Sequence, residues 1–161
     1  MQIAMIGQKG IPAIHGGIER HVEELSVRLV GLGHQVLVYT RPHFTPKGMK
    51  QYRGVKLVSL TSWITKHFDA LSHTFVATLH AVRSNVDVIH YHGVGPSLLA
   101  FLPKILGSKA KVVSTFHCID RLHQKWGLFA RLLLRAGEWS SVHHPDQTIV
   151  VGSRASSMLR P

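Results

Sequence analysis

The stretch from Gly7 to Leu32 constrains the fold more than any other part of this chain. It follows an apolar segment, Met1–Ile6, that is typical of a buried first strand. A glycine-bearing loop then leads to Gly16-Gly17, after which apolar residues recur at helical spacing: Ile18, Val22, Leu25, Leu29 and Leu32. Charged residues alternate with them and are expected on the opposite, solvent-facing side: Glu19, Arg20, Glu23, Glu24 and Arg28. A strand, a glycine loop and a helix in this order are typical of α/β proteins that bind nucleotides.

The start of this helix is a candidate binding site for a phosphate group. The first backbone N–H groups of a helix have no intrahelical partner and lie at the positive end of its dipole. Glycines at positions 16 and 17 would let an anion approach that backbone without a side chain in the way. Alternatively, Gly7 and Gly10 could simply make a tight turn, and Gly16-Gly17 could merely start the helix. The spacing matches neither G-x-G-x-x-G nor the P-loop, so both interpretations stay open on the local residues.

The rest of the chain alternates between strand and helix patterns. This alternation predicts a Rossmann-like α/β fold with a mostly parallel sheet and helices on both faces. The predicted strands are Met1–Ile6, Gln35–Thr40, Val55–Leu60, Asp87–Tyr91, Lys111–Phe116 and Gln147–Val151. After the first helix, further helices are predicted over 63–83, 97–106 and 125–142, and a last one begins after Ser153. Because such sheets bind ligands beyond the carboxyl ends of their strands, four loops are candidates: 7–17, the segment from Thr40 onward, 92–95 and 117–123.

Charge and cysteine content narrow the possible partners and the compartment. Lysine and arginine outnumber aspartate and glutamate by 19 to 8, a formal charge of +11 that favours an anionic partner. No basic recognition helix or aromatic-and-basic sheet face is visible, so no nucleic-acid partner is expected. Cys118 is the single cysteine, and the sequence shows neither a leader pattern nor a membrane-spanning run. These features predict a cytoplasmic protein.

Thirteen histidines raise the question of a metal site. Zinc needs three or four converging ligands, and neither an H-E-x-x-H motif nor a cysteine pair supplies them, so no metal is expected. His90 and His92 lie two apart at a strand end. His117 ends an apolar strand at the expected cleft, where its imidazole could hydrogen-bond a ligand hydroxyl. Asp120, three residues on, could accept a hydrogen bond, while a packed, purely structural His117 is the competing interpretation.

A set of motifs along the chain resembles bacterial family-4 glycosyltransferases of the GT-B fold. The motifs are G-x-x-G-I-P-A-x-x-G-G-x-E-x-x-x-E-x-L, G-H-Q-V, I-H-Y-H-G, S-T-F-H-x-x-D, K-W-G and I-V-V-G-S. They look closest to the rhamnosyltransferase-like branch used in surface polysaccharide synthesis. The resemblance implies that residues 1–161 are the N-terminal, acceptor-side Rossmann-like domain. The C-terminal donor-binding domain with its E-x7-E region is absent from this chain, which alone is therefore expected to be inactive.

The resemblance also implies retaining sugar transfer from a nucleotide-sugar donor to a glycan or lipid-linked acceptor, without a cofactor. The family's glycine pair at the first helix approaches the donor diphosphate, and Gly16 and Gly17 match it. The histidine ending the fifth strand contacts the donor sugar and is matched by His117, with Asp120 as a second catalytic candidate. His92 and Gly93 would line the acceptor side. Glu19 would cap or salt-bridge the helix start and take no part in the reaction.

The basic balance is also consistent with binding to an anionic membrane surface, because acceptors in such pathways are often lipid-linked. Trp63–Phe68 and Lys125–Arg135 combine apolar and basic residues, as interfacial elements do. The competing interpretation of the second segment is that Leu128, Leu132 and their neighbours form core. A peripheral location on the inner face of the membrane is the resulting hypothesis.

Two other classes of function compete with sugar transfer. A non-catalytic Rossmann-like nucleotide- or sugar-binding domain, or half of a GT-B sugar-nucleotide epimerase, would use the same fold. A nucleic-acid-binding module is favoured by charge alone. Salt-dependent binding to random-sequence DNA would support this last reading.

Overall fold

The computed structural model describes residues 1–14, 16–63, 69–117 and 128–151 and confirms the α/β prediction. The described residues form a seven-stranded sheet in the order β3-β4-β2-β1-β5-β6-β7, parallel except for the β3–β4 pair. The strands are β1 (Gln2–Ile6), β2 (Gln35–Thr40), β3 (Gln51–Tyr52), β4 (Val55–Ser59), β5 (Val88–His92), β6 (Lys111–Phe116) and β7 (Gln147–Val150). The helices are α1 (Gly17–Gly31), α2 (Asp69–Arg83), α3 (Val94–Ser97), α4 (Leu102–Ile105) and α5 (Leu128–His143), and a short 3₁₀ turn covers Pro42–Phe44.

Strand β1 shows why both faces of the sheet carry helices. Its alternate residues point to opposite faces, and all of them from Ile3 to Ile6 are buried. Ile3 and Met5 join an apolar cluster with Val22 of α1. Ala4 and Ile6 join a second cluster on the other face, with the small residues Ala77 and Ala81 of α2. A strand that is buried on both sides is typical of a central parallel strand.

The strand order places a topological switch beside β1. The chain passes from β1 to β2 and β4 on one side, then returns to β5, which pairs with the other edge of β1. The connections after β1 and after β5 therefore diverge at the carboxyl ends of two neighbouring strands. Open α/β sheets bind ligands in the crevice that forms at such a point.

The structure differs from the prediction at two elements. The helix predicted over 97–106 is two short helices, α3 and α4, separated by turns. Pro103 contributes to this break, because proline has no N–H to donate to a carbonyl of the preceding turn. The short strand β3, which pairs antiparallel with β4, was not predicted. The beginning of the helix predicted over 63–83 and the last helix after Ser153 lie largely outside the described residues.

Helix α5 leaves exposed several of the apolar residues that a core segment would bury. Leu132 and Trp139 are 55% and 57% exposed, so the interpretation that Leu132 belongs to the core was wrong. Apart from Leu134, which packs on Val94 and Phe116, the inward face is small and polar. The Ser140 hydroxyl donates a 2.7 Å hydrogen bond to the carbonyl of Ser97, and a Cβ at Gly137 would collide with the backbone carbonyl of Val94. Close packing on α3 therefore requires small residues on this face and leaves the larger apolar ones outside.

Candidate functional site

The loop after β1 and the turn after β5 approach each other closely at the switch point. Gly7 has a φ of +120°, a conformation that favours glycine. A Cβ there would lie 2.5 Å from the carbonyl oxygen of His92 and 2.8 Å from Cγ of Pro96. Gly7 is therefore required both by the backbone conformation and by the space available. This contact fixes the first residues of the loop against the floor of the crevice.

The amino terminus of α1 is open to this crevice. Gly16 precedes the helix with a φ of 100°, and no side chain among the described residues caps the helix start. Gly17 is exposed, and a Cβ built there meets no described atom within 4 Å. Beside the glycines, Ile18 packs toward the β5–α3 turn, with its Cδ1 3.5 Å from the Cβ position of Gly93. The first amide groups of the helix, which no described side chain caps, therefore lie beside the carboxyl end of β5.

Two carboxylates hold the glycine-bearing loop onto α1. Glu19 and Glu23 are buried, with 9% and 4% exposure, so the prediction that they face solvent was wrong. Glu19 Oε1 accepts a hydrogen bond from the backbone N–H of Lys9 at 3.2 Å, and Glu23 Oε2 accepts one from Ala13 at 2.5 Å. The loop folds back over the face that helical periodicity assigns to solvent. The carboxylate of Glu19 also occupies the space into which a Cβ at Gly16 would project.

Four histidine rings form a continuous group beneath the helix start. His21, one turn after Gly17, has its ring centroid 4.9 Å from that of His117 and 5.8 Å from that of His92. The His92 and His117 centroids are also 5.8 Å apart. His90 packs on His92 at 4.0 Å, and its Nε2 lies 2.7 Å from Oγ1 of Thr115. Helix α1 and the carboxyl ends of β5 and β6 each contribute to this group.

Burial keeps the inner rings of this group neutral near pH 7. Desolvation is the main cause that lowers the pKa of His92 well below its usual value, and the neighbouring His90, His117 and His21 add to the effect. Desolvation, followed by His21 and His117, lowers the pKa of His90 to about 4. Burial also lowers the pKa of the more accessible His21. Neutral imidazoles can each donate one hydrogen bond and offer one lone pair.

The structure brings together most of the residues that the sequence nominated for the site. Gly16, Gly17, His92, Gly93 and His117 all lie around the carboxyl ends of β1, β5 and β6. The side chain of His92 is 1% exposed, whereas that of His117 is partly exposed. Asp120 lies outside the described residues, so its catalytic role stays a prediction.

Sequence reasoning missed the contribution of His21. This residue follows Ile18 by three positions and precedes Leu25 by four, which places it on the buried stripe of α1. That spacing was the available signal, because a histidine on the inward face of a helix beside a glycine pair must face the strand ends. His90 and His92 were noted as a pair. The spacing around His21 indicates its inward face, but nothing in the sequence indicated that His21 and His117 would contact this pair.

The loop after β2 mainly anchors α2. Arg41 is buried, and its Nη1 lies 2.7 Å from Oδ2 of Asp69, the first residue of that helix. Ser62 also donates a hydrogen bond to Asp69.

On the outer side of the glycine-bearing loop, a cavity of about 440 Å³ is lined by residues that include Lys9, Glu19 and Phe44.

Similarities to known proteins agree with the architecture. Residues 15–161 match the family described as Glycosyltransferase Family 4. Over 91 aligned residues the chain is 31% identical to the phosphatidylinositol N-acetylglucosaminyltransferase gpi3 subunit of Schizosaccharomyces pombe. That match covers 48% of this chain and 18% of the subunit, so the chain spans less than a fifth of the length of this relative.

A solved structure supports the fold independently. The chain is similar to a sucrose-phosphate synthase from Thermosynechococcus elongatus, with a TM-score of 0.66 and 18% sequence identity. The similarity covers 99% of this chain and 81% of that chain. The described part of the molecule contains no helix that is both long and apolar enough to cross a membrane.

Proposed function

Because this chain belongs to glycosyltransferase family 4, we propose that it forms the acceptor-side domain of an enzyme that transfers a sugar from a nucleotide-sugar donor. The acceptor is a hydroxyl group of a glycan or a lipid-linked glycan. The anomeric C–O bond to the diphosphate breaks, the acceptor oxygen bonds to the same carbon, and the nucleoside diphosphate leaves. The proton of the acceptor hydroxyl passes to an oxygen of the leaving diphosphate, and the anomeric configuration is retained.

The observation that carries this proposal is the start of α1, which no side chain of the described residues caps, on the same side of the sheet as His117. Negative charge grows on the leaving diphosphate as the anomeric bond breaks. Free amides at the Gly16-Gly17 helix start stabilise that charge most strongly in the transition state. The partly exposed His117 is placed to contact a hydroxyl group of the donor sugar and so hold the sugar in orientation. Asp120 is the proposed second catalytic residue.

The acceptor side is proposed at His92 and Gly93, below the helix start. Since the ring of His92 is buried, it forms the floor of the crevice and supports the groups that contact the acceptor. The donor's base and most of its sugar contacts belong to a second, C-terminal domain that closes over this face. Residues 1–161 alone are therefore expected to show no turnover. More specifically, we propose that the donor carries a rhamnosyl group and that the enzyme acts in surface polysaccharide synthesis.

The test is a turnover screen on the full-length protein. Release of nucleoside diphosphate is measured across UDP-, GDP-, ADP- and dTDP-sugars, with and without glycan and lipid-linked acceptors. Acceptor-dependent release with one donor, and a product of retained anomeric configuration, is the expected result. Donor binding without turnover would contradict the proposal and indicate a non-catalytic binding domain. An isomerised sugar nucleotide would indicate an epimerase.

The outer face of α5 favours a cytoplasmic protein that binds peripherally to anionic membranes. Arg131 and Arg135 are exposed on the same helix as the exposed Leu132 and Trp139. Basic residues near an anionic surface contribute on the order of 1 kcal/mol each, and the apolar side chains add interfacial burial. The relative in Schizosaccharomyces pombe, whose name includes phosphatidylinositol, supports a lipid acceptor.

We expect the Arg131→Glu/Arg135→Glu variant to bind anionic vesicles about tenfold more weakly than the unmodified protein, because it loses attraction and gains repulsion. The measurement is co-sedimentation with phosphatidylglycerol-containing vesicles at low salt. The matched control, Lys47→Glu/Lys50→Glu, makes the same change in net charge at exposed positions of a loop away from α5. Equal weakening by both variants, or binding that persists unchanged in high salt, would contradict a specific α5 surface.

A further inference from the structure

Three histidines from separate parts of the chain bring their ring nitrogens together beneath the helix start. His21 lies on α1, His92 ends β5 and His117 follows β6. Each ring offers one nitrogen, and these three nitrogens all lie within 4.8 Å of one another. No two of these residues are close in sequence, so their convergence is a result of the fold.

We propose that His21, His92 and His117 form a binding site for a nitrogen-preferring divalent metal ion such as Zn²⁺. In a tetrahedral site with Zn–N bonds of about 2.0–2.1 Å, the ligand nitrogens are about 3.3 Å apart. The present separations need an inward movement of at most about 1.5 Å. Since His21 and His117 are only partly buried, rotation of their side chains can supply that movement.

The innermost ligand is already fixed in position. His92 is 1% exposed, and its Nε2 lies 3.3 Å from Sδ of Met5. Its Nδ1 is buried and makes no hydrogen bond within the described part of the chain. Buried polar atoms without a hydrogen bond are rare in native proteins, and a bound metal ion would provide a partner for this nitrogen. His90 packs against the same ring and is held by Thr115, as outer groups that orient metal ligands commonly are.

The donor set determines the chemical class of the ion. Three neutral imidazoles suit Zn²⁺, Ni²⁺, Co²⁺ and Cu²⁺, whereas Mg²⁺ and Ca²⁺ prefer oxygen ligands. No carboxylate joins this cluster among the described residues. Three protein ligands leave a fourth position for water or an exogenous ligand, as in open zinc sites. The metal site is argued from side-chain geometry alone, and it shares His92 and His117 with the proposed transfer site.

The test is a Zn²⁺ titration of the full-length protein, purified without a polyhistidine tag and treated with chelator. Calorimetry should show a saturable site at one Zn²⁺ per chain. His21→Gln and His117→Gln should each weaken that binding by about 100-fold, since each removes one direct ligand. His143→Gln is the matched control, because this exposed histidine at the end of α5 lies outside the cluster, and it should bind as the unmodified protein does.

Two further measurements make the result specific. Co²⁺ bound to the unmodified protein should give visible ligand-field bands that are lost in both cluster variants. Zn²⁺ should also raise the unfolding temperature of the unmodified protein and of His143→Gln by several degrees, with little effect on the cluster variants. Circular dichroism confirms that each variant is folded. Absence of a saturable site, or unchanged affinity in both cluster variants, would overturn the proposal whatever the transferase screen shows.

Discussion

Substitution of Gly17 by valine should lower the turnover of the full-length enzyme about 100-fold and leave its fold unchanged. The two branched methyl groups would stand where a phosphate must approach the first amides of α1. Loss of one donor to a developing oxyanion costs roughly 100- to 1,000-fold in catalysed acyl transfer, which sets the scale here. The protein should stay folded because a Cβ at Gly17 meets no described atom within 4 Å. Turnover and the thermal unfolding midpoint are the measurements.

Gly31→Val provides a matched control at the other end of the same helix. Gly31 is also exposed, and its Cβ position is equally open. It lies at the negative end of the helix dipole and should therefore tolerate valine without loss of turnover. Similar turnover in both variants would exclude the diphosphate role of Gly17. Gly16 is less suitable for this test, because a side chain there would collide with Glu19 and disturb the loop.

Replacement of His117 by alanine should slow sugar transfer about 100-fold and change the affinity for the nucleoside diphosphate by less than about threefold. The imidazole is proposed to hold the donor sugar, so its contribution grows as the sugar is oriented for transfer. The nucleoside diphosphate product carries no sugar and should bind almost normally. Single-turnover rates and equilibrium binding of the diphosphate separate these two quantities. Chelator-treated enzyme is used so that metal binding at the same side chain does not contribute.

His34→Ala is a suitable control for this experiment. His34 is partly buried and immediately precedes β2, so it lies at the amino-terminal edge of the sheet, opposite His117. Both variants lose an imidazole of comparable exposure, but only the loss of His117 should affect transfer. Equal losses of transfer rate and nucleotide affinity in His117→Ala would indicate a structural role for that ring.

The order of elements could be predicted because it depends on local patterns. The continuous apolar run of β1 and the three-and-four spacing of α1 are local signals of burial. The burial of β1 is confirmed, and so is the α1 stripe except at Leu32, which follows the helix end and is 73% exposed. The parallel sheet then follows from the alternation of strands and helices. Strand β3 was missed because two residues, Gln51 and Tyr52, are too few to show a period.

The errors concern contacts between segments that are distant in sequence. Periodicity assigned Glu19 and Glu23 to the solvent face, but the loop returns over that face and supplies backbone donors for their carboxylates. On α5, the close approach to α3 at Gly137 selects small residues for burial and leaves Leu132 exposed, contrary to the interpretation that it belongs to the core. A hydrophobic pattern describes which residues favour burial, whereas only the tertiary contacts determine which face becomes buried.

The same limit applied to the histidines of the site. The residues next to each histidine gave no indication of metal ligation. A metal was not expected because no short motif connects these histidines. His21 and His117 are 96 positions apart in the numbering of the chain, yet their ring centroids are 4.9 Å apart. The sheet order, which places the ends of β5 and β6 side by side under α1, is what creates this group.

The attachment of residues 9 and 13 to Glu19 and Glu23 has a consequence for binding energy. Because these hydrogen bonds join the loop to the first two turns of α1, the loop is already fixed relative to the helix before a ligand binds. Little conformational entropy remains to be lost there on association, so contacts made to the ligand contribute more fully to affinity.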